Sequence, residues 1–179
     1  MSLHLSEVPP DLRDANWKYL LEHADTSLAT VKGFCVGAAA HPTRPGIFVA
    51  ATRSFSLALI NARTGATEFQ FPVSAQQAKN TYRRGLAISP DGERLAAGSL
   101  GEGGLAIYDL RNGKPLLEWD GPETDTLDFS NDGETLLQGS TIQQVVCLWD
   151  AETGKKRWSF PGGGYASFDA TGKKVISAT

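Results

Sequence analysis

A catalytic or metal site in this chain would have to be assembled from three histidines, two cysteines and twenty carboxylates. Their placement does not favour one. His4, His23 and His41 are scattered, and His41 precedes Pro42, where a strand-end residue suffices. Cys35 and Cys147 lack the close spacing of a zinc ligand set and read as two thiols of a reducing compartment. The acidic residues fall mostly in turns. Asp91-Gly92 and Asp132-Gly133 are the pairs that a tight turn recruits, because glycine takes positive φ and aspartate bonds its own backbone. No Ser-His-Asp order and no phosphate loop can be put together. The glycine-rich stretches GSLGEGG (98–104) and PGGGY (161–165) are followed by strand-like sequence. A phosphate loop needs the N-terminus of a helix at that place. The expectation is a chain that is not an enzyme, with no catalytic residue, no metal and no cofactor.

One short stretch carries side chains suited to recognition instead. AKNTYRRG holds Lys79, Tyr82, Arg83 and Arg84. Arginine and tyrosine are enriched at binding hot spots. Three cations together on a chain of formal net charge −3 would make a local positive spot, suited to an acidic protein surface or a phosphate. The plainer alternative is a solvated connector.

The elements that would position these groups follow from an internal repeat. Three copies align: AAAHPTRPGIFVAATRSFSLALINARTGATEFQF, LAISPDGERLAAGSLGEGGLAIYDLRNGKPLLEW and LDFSNDGETLLQGSTIQQVVCLWDAETGKKRWSF, with a partial fourth, ASFDATGKKVISAT. Pro42, Pro90 and Asn131 each precede Asn61, Asp109 and Asp150 by 19 residues, and Gly65, Gly113 and Gly154 by 23. That constancy is expected of a rigid unit that takes no insertion without losing register. Short apolar runs between Asp-Gly and Thr-Gly or Asn-Gly turns read as strands, four per copy. A lone four-stranded sheet cannot bury both faces, whereas copies stacked radially can. The spacing therefore predicts an all-β β-propeller with blades over about 34–72, 84–120 and 124–161 and a partial blade over 164–179, about three and a half in all. Residues 1–33 would be a lead in which 9–25 form a helix or an outer strand and TSLATVKG (26–33) a further outer strand. The connection PVSAQQAKNTYRRG is seven residues longer than its counterpart after the second copy, and variable loops on a rigid scaffold are where binding tends to reside.

In these features the chain resembles WD-repeat β-propellers. Trp149-Asp150 is the dipeptide that names them, Tyr108-Asp109 and Ile60-Asn61 are weaker counterparts, and SPDGERLAAGS and SNDGETLLQGS match their first two strands. The resemblance covers about residues 34 to 179 and implies a scaffold that binds proteins. Many such repeats add a Gly-His pair and an aspartate in the turn after the second strand, which join a strand serine and the tryptophan in a hydrogen-bonded network. Here no Gly-His pair occurs, that turn holds RSF, LGEGG or IQQ, and Ser99 and Ser140 lack those partners. The expectation is a divergent, bacterial-type propeller whose blades are held by apolar packing more than by polar networks. DAETGKKRWSF also resembles the propeller of quinone-dependent dehydrogenases, but SPDG and SNDG are foreign to that family. A third reading is a sensing or regulatory module of a larger protein.

Three and a half blades do not close a ring. A fragment of a larger propeller, two copies joined into seven blades, and docking on another chain all stay open, as does the blade total. The strand edge at KKVISAT should be paired in any of them. A composition of 41% hydrophobic and 21% charged residues is that of a globular protein, and the net charge does not suggest nucleic acid as a partner. No apolar run approaches the roughly 18 residues that span a bilayer, and the N-terminus lacks the pattern of a secretory signal, so a cytoplasmic protein without membrane contact is expected.

Overall fold

The computed structural model describes residues 34–52, 57–71, 85–98 and 104–178. All regular structure among them is strand. β1 (Phe34–Ala40), β2 (Ile47–Thr52), β3 (Leu57–Asn61) and β4 (Thr67–Phe71) form one antiparallel meander. β5 (Leu86–Ile88), β6 (Arg94–Gly98), β7 (Leu105–Asp109) and β8 (Pro115–Trp119) form a second. β9 (Thr126–Phe129), β10 (Thr135–Ser140), β11 (Val145–Asp150) and β12 (Lys156–Pro161) form a third. β13 (Tyr165–Phe168) and β14 (Val175–Ala178) form a two-stranded sheet. The first strands of successive sheets lie beside one another, as do blades about an axis, and the described residues form no closed ring. Both glycine-rich stretches lead into strands, β7 and β13, rather than into a helix.

Two turn designs recur. In the first, the Asp132 carboxylate accepts the Ser130 hydroxyl (2.5 Å) and the Glu134 amide (2.9 Å), while the Thr135 amide donates to Ser130 Oγ. Ser89, Asp91, Glu93 and Arg94 repeat this arrangement. In the second, the side-chain oxygen of Asn61, Asp109 or Asp150 accepts an amide two residues on, at 3.0, 2.8 and 3.1 Å. Four residues on, Gly65, Gly113 and Gly154 each donate back to that residue's carbonyl with φ of 69°. The aspartate of the dipeptide is thus a turn-forming residue, in keeping with the ability of Asp and Asn to bond nearby backbone.

Strand alternation gives each sheet two apolar faces, and the sheets stack on them. Val49, Leu57, Leu59 and Phe71 of the first sheet pack with Leu95, Ala97, Ala106 and Tyr108 of the second. Ala96, Leu105 and Ile107, on the other face of the second, pack with Leu136, Cys147 and Trp149 of the third. Leu137 and Val146, with Leu148 and Phe160 beside them, pack against Ala166, Phe168 and Val175. Polar clasps join neighbouring turns: Arg94 donates to the Gly133 carbonyl (2.8 Å) and Asn131 to the Ala170 carbonyl (2.9 Å).

The rigid ruler needs correction. Ala40 pairs with Phe48, eight positions on, whereas Ile88–Leu95, Phe129–Leu136 and Phe168–Val175 are seven apart. Conversely, Ala50 pairs with Ala58, eight apart, where Ala97–Ala106 and Gln138–Cys147 are nine apart. The first sheet therefore gains a residue in its first turn and loses one in the next. β2 keeps its pairing because the extra residue is closed by the bond from the Ile47 amide to the Arg44 carbonyl. The 19-residue spacing survives through two compensating changes, not through intolerance of insertion. The N-terminal lead, with its helix-or-strand alternatives, lies outside the described residues.

Candidate interaction surface

The residues of the repeat signature sit where the sheets meet. Tyr108 on β7 is 1% exposed, with its ring edge-on to Phe71 at 5.9 Å. Trp149 on β11 is 6% exposed and tilts against Trp119 at 5.7 Å. Each third-strand aromatic thus rests on the outermost-strand aromatic of the sheet before it. Asp109 and Asp150 flank them at the turns. The Arg111 side chain holds the Asp109 carboxyl below its ordinary value, and the Arg157 guanidinium, 2.7 Å away, does the same for Asp150.

Trp149 is also held by a polar network, which corrects the expectation of apolar packing for the third sheet. Its Nε1 donates to Gln138 Oε1 (2.9 Å). Gln138 Nε2 donates to Thr124 Oγ1 (2.8 Å) and to the Pro122 carbonyl (2.7 Å). Gln138 and Thr124 are both buried. The counterparts of Gln138 in the other sheets, Ala50 and Ala97, carry no such group. Ser140, the expected tryptophan partner, instead donates its hydroxyl to Gln143. A glutamine inside TLLQGS was the available signal, since a lone amide in a buried strand requires a partner.

The other titratable groups are occupied by turns. Burial pushes Asp91 up, but the Ser89 hydroxyl, the Glu93 amide and the Arg94 charge outweigh it and hold the carboxyl below its ordinary value. The Ser130 hydroxyl lowers Asp132, and the Lys174 amide lowers Asp169. Burial, with Arg44 nearby, lowers His41, whose ring packs against the next sheet's first turn at Gly92. Burial raises the free thiol of Cys147. A cavity of about 470 Å³ is lined by Thr141, Gln144, Gly162, Gly163, Gly164 and Tyr165, among others, and brings no acid or base together. Among the described residues no group of His, Cys, Asp and Glu could hold a metal ion. No described helix is long and apolar enough to cross a membrane, which says nothing of a membrane β-barrel.

Lys79, Tyr82, Arg83 and Arg84 lie outside the described residues, as does Ser99. What the structure adds is an apolar surface. Its exposed large apolar side chains are Leu116, Ile142, Trp158, Tyr165 and Ile176. Three of these, Trp158, Tyr165 and Ile176, gather on β12, β13 and β14.

No family model matches the chain. WD repeat-containing protein 81 of Danio rerio is 26% identical over 125 residues, which cover 69% of this chain and 6% of that protein. The chain therefore spans a small part of its relative's length. This distant likeness and the four-stranded antiparallel sheets are consistent with a WD-like β-propeller.

Proposed function

We propose that the chain is a segment of a WD-repeat-like propeller that serves as a non-enzymatic scaffold for protein partners in the cytoplasm. The observation that carries this reading is how the described ionisable groups are used. Asp91, Asp109, Asp132, Asp150 and Asp169 each bond the backbone of their own turn. Acids engaged in holding turns shape a surface rather than move protons. The likeness to a WD repeat-containing protein supports the same reading.

In this reading the long connection with Lys79, Tyr82, Arg83 and Arg84 contacts an acidic partner surface. Replacing Lys79, Arg83 and Arg84 with alanine should change stability by no more than about 0.5 kcal/mol, as for exposed positions generally. Capture of partners from native lysate at graded salt tests the contact. The wild-type chain should lose its partners as salt rises, and the triple variant should fail to hold them even at low salt. If the variant keeps the same partners with the same salt sensitivity, the loop is a connector and the proposal for it fails.

A further inference from the structure

The three complete sheets specify what belongs beside β14. Their second strands, β2, β6 and β10, are each paired on both edges, whereas β14 pairs only with β13 among the described residues. Ile176 on β14 corresponds to Val49, Ala96 and Leu137, all 0% exposed, yet it is 66% exposed. The third sheet's outer face repeats the pattern. Leu148 is half-buried where its counterparts Leu59 and Ile107 are buried. Phe160 is half-buried where Phe71 is buried. Trp158 is 63% exposed, stacked at 5.4 Å on Phe160, whereas its counterpart Phe69 packs into the core between the first two sheets.

We propose that this edge and shelf form an acceptor site for a β-hairpin supplied by a partner polypeptide. Its first strand should follow the pattern of LALIN, LAIYD and VCLWD: four small or apolar residues, the last bulky or aromatic, then Asp or Asn, with a turn glycine four residues later. Each feature has a prepared contact. The bulky residue would meet Phe160 as Tyr108 meets Phe71 and Trp149 meets Trp119. The turn glycine would seat on the aromatic shelf, as Gly113 seats against Phe69 and Gly154 against Trp119. The Lys173 carbonyl stands where those of Gly46, Glu93 and Glu134 accept the amide after the Asp or Asn, at 2.7, 2.8 and 2.9 Å. Main-chain pairing would supply affinity and these side-chain seats specificity, as in strand addition generally. A second copy offering its own β14 edge would bring Ile176 and Tyr165 but neither the bulky residue nor the turn glycine. The site deepens the scaffold reading and rests on it for the kind of partner, but it does not involve the basic loop.

The probe is a synthetic peptide of residues 105–119, LAIYDLRNGKPLLEW, added to the intact chain. Saturable binding is expected, with slowed hydrogen exchange confined to Val175–Ala178 and the β12 face. A peptide carrying Tyr108→Ser should bind about tenfold or more weakly, the loss typical of an anchor residue. Ile176→Asp in the protein changes an exposed side chain, so circular dichroism should be unaltered while binding is abolished. Absence of saturable protection, or protection that survives Ile176→Asp, overturns the proposal. So does a wild-type dimer in light scattering that Ile176→Asp converts to monomer, since a second copy would then be the occupant. Loss of lysate partners in the basic-loop variant with peptide binding intact would leave this site standing, and the converse result would remove it alone.

Discussion

Gln138 and Trp149 hold each other in place at the centre of the third sheet. An amide buried to this extent costs free energy unless its groups are bonded, and here both the oxygen and the nitrogen are. Trp149→Phe keeps most of the ring but strips the donor from Gln138 Oε1, so it should cost about 1–3 kcal/mol, the penalty for a stranded polar group. Trp119→Phe should cost less, because the Trp119 indole N–H is buried without a partner already. Denaturant unfolding of Trp149→Phe, Gln138→Met and the double variant should show coupling of about 0.5–3 kcal/mol. Coupling near zero would mean that the bond does not contribute in solution. The tryptophan and its aspartate could be picked out in the sequence, because the dipeptide recurs at fixed spacing. Gln138 could not, because its partners Thr124 and Pro122 come from the connection between sheets, and two of three repeats place alanine at its position.

At the level of strands, the sequence specified turns better than it specified their tolerance. Apolar runs and Gly-containing turns were enough to place the strands, since period and turn chemistry agreed. The slip of β2 was hidden, because an added and a deleted residue cancel in any count between fixed landmarks. The glycines carry a second constraint, also hidden: contact with the neighbouring sheet. Gly46 and Gly113 both have positive φ, at 82° and 69°. A Cβ on Gly46 would find its nearest atom at 3.7 Å, but on Gly113 it would lie 2.1 Å from the Phe69 ring. Gly46→Ala should therefore cost about 1–2 kcal/mol from backbone conformation alone. Gly113→Ala should cost more, and a Phe69→Leu background should narrow the difference. Equal losses in thermal or urea unfolding, unchanged by Phe69→Leu, would show that the seat does not affect stability.

For the molecule as a whole, a stack of sheets is a chain of nearest-neighbour couplings, so stability should depend on how many faces each sheet has covered. The second sheet is covered on both, and every residue of β7 is buried. The β13–β14 sheet contributes only Ala166, Phe168 and Val175 to an interface, and its other face presents Tyr165 and Ile176 to solvent. Local opening is easiest where few apolar contacts are lost. Native-state hydrogen exchange should therefore be graded, with amides of β7 and β10 exchanging slowest and those of β14 fastest among the described strands. Burying Ile176 and capping the β14 edge would remove both causes of that weakness, so an added hairpin should slow β14 far more than β7. If β14 exchanges as slowly as β7 in the isolated chain, its edge is already covered, and the count of buried faces does not govern the stability of this stack.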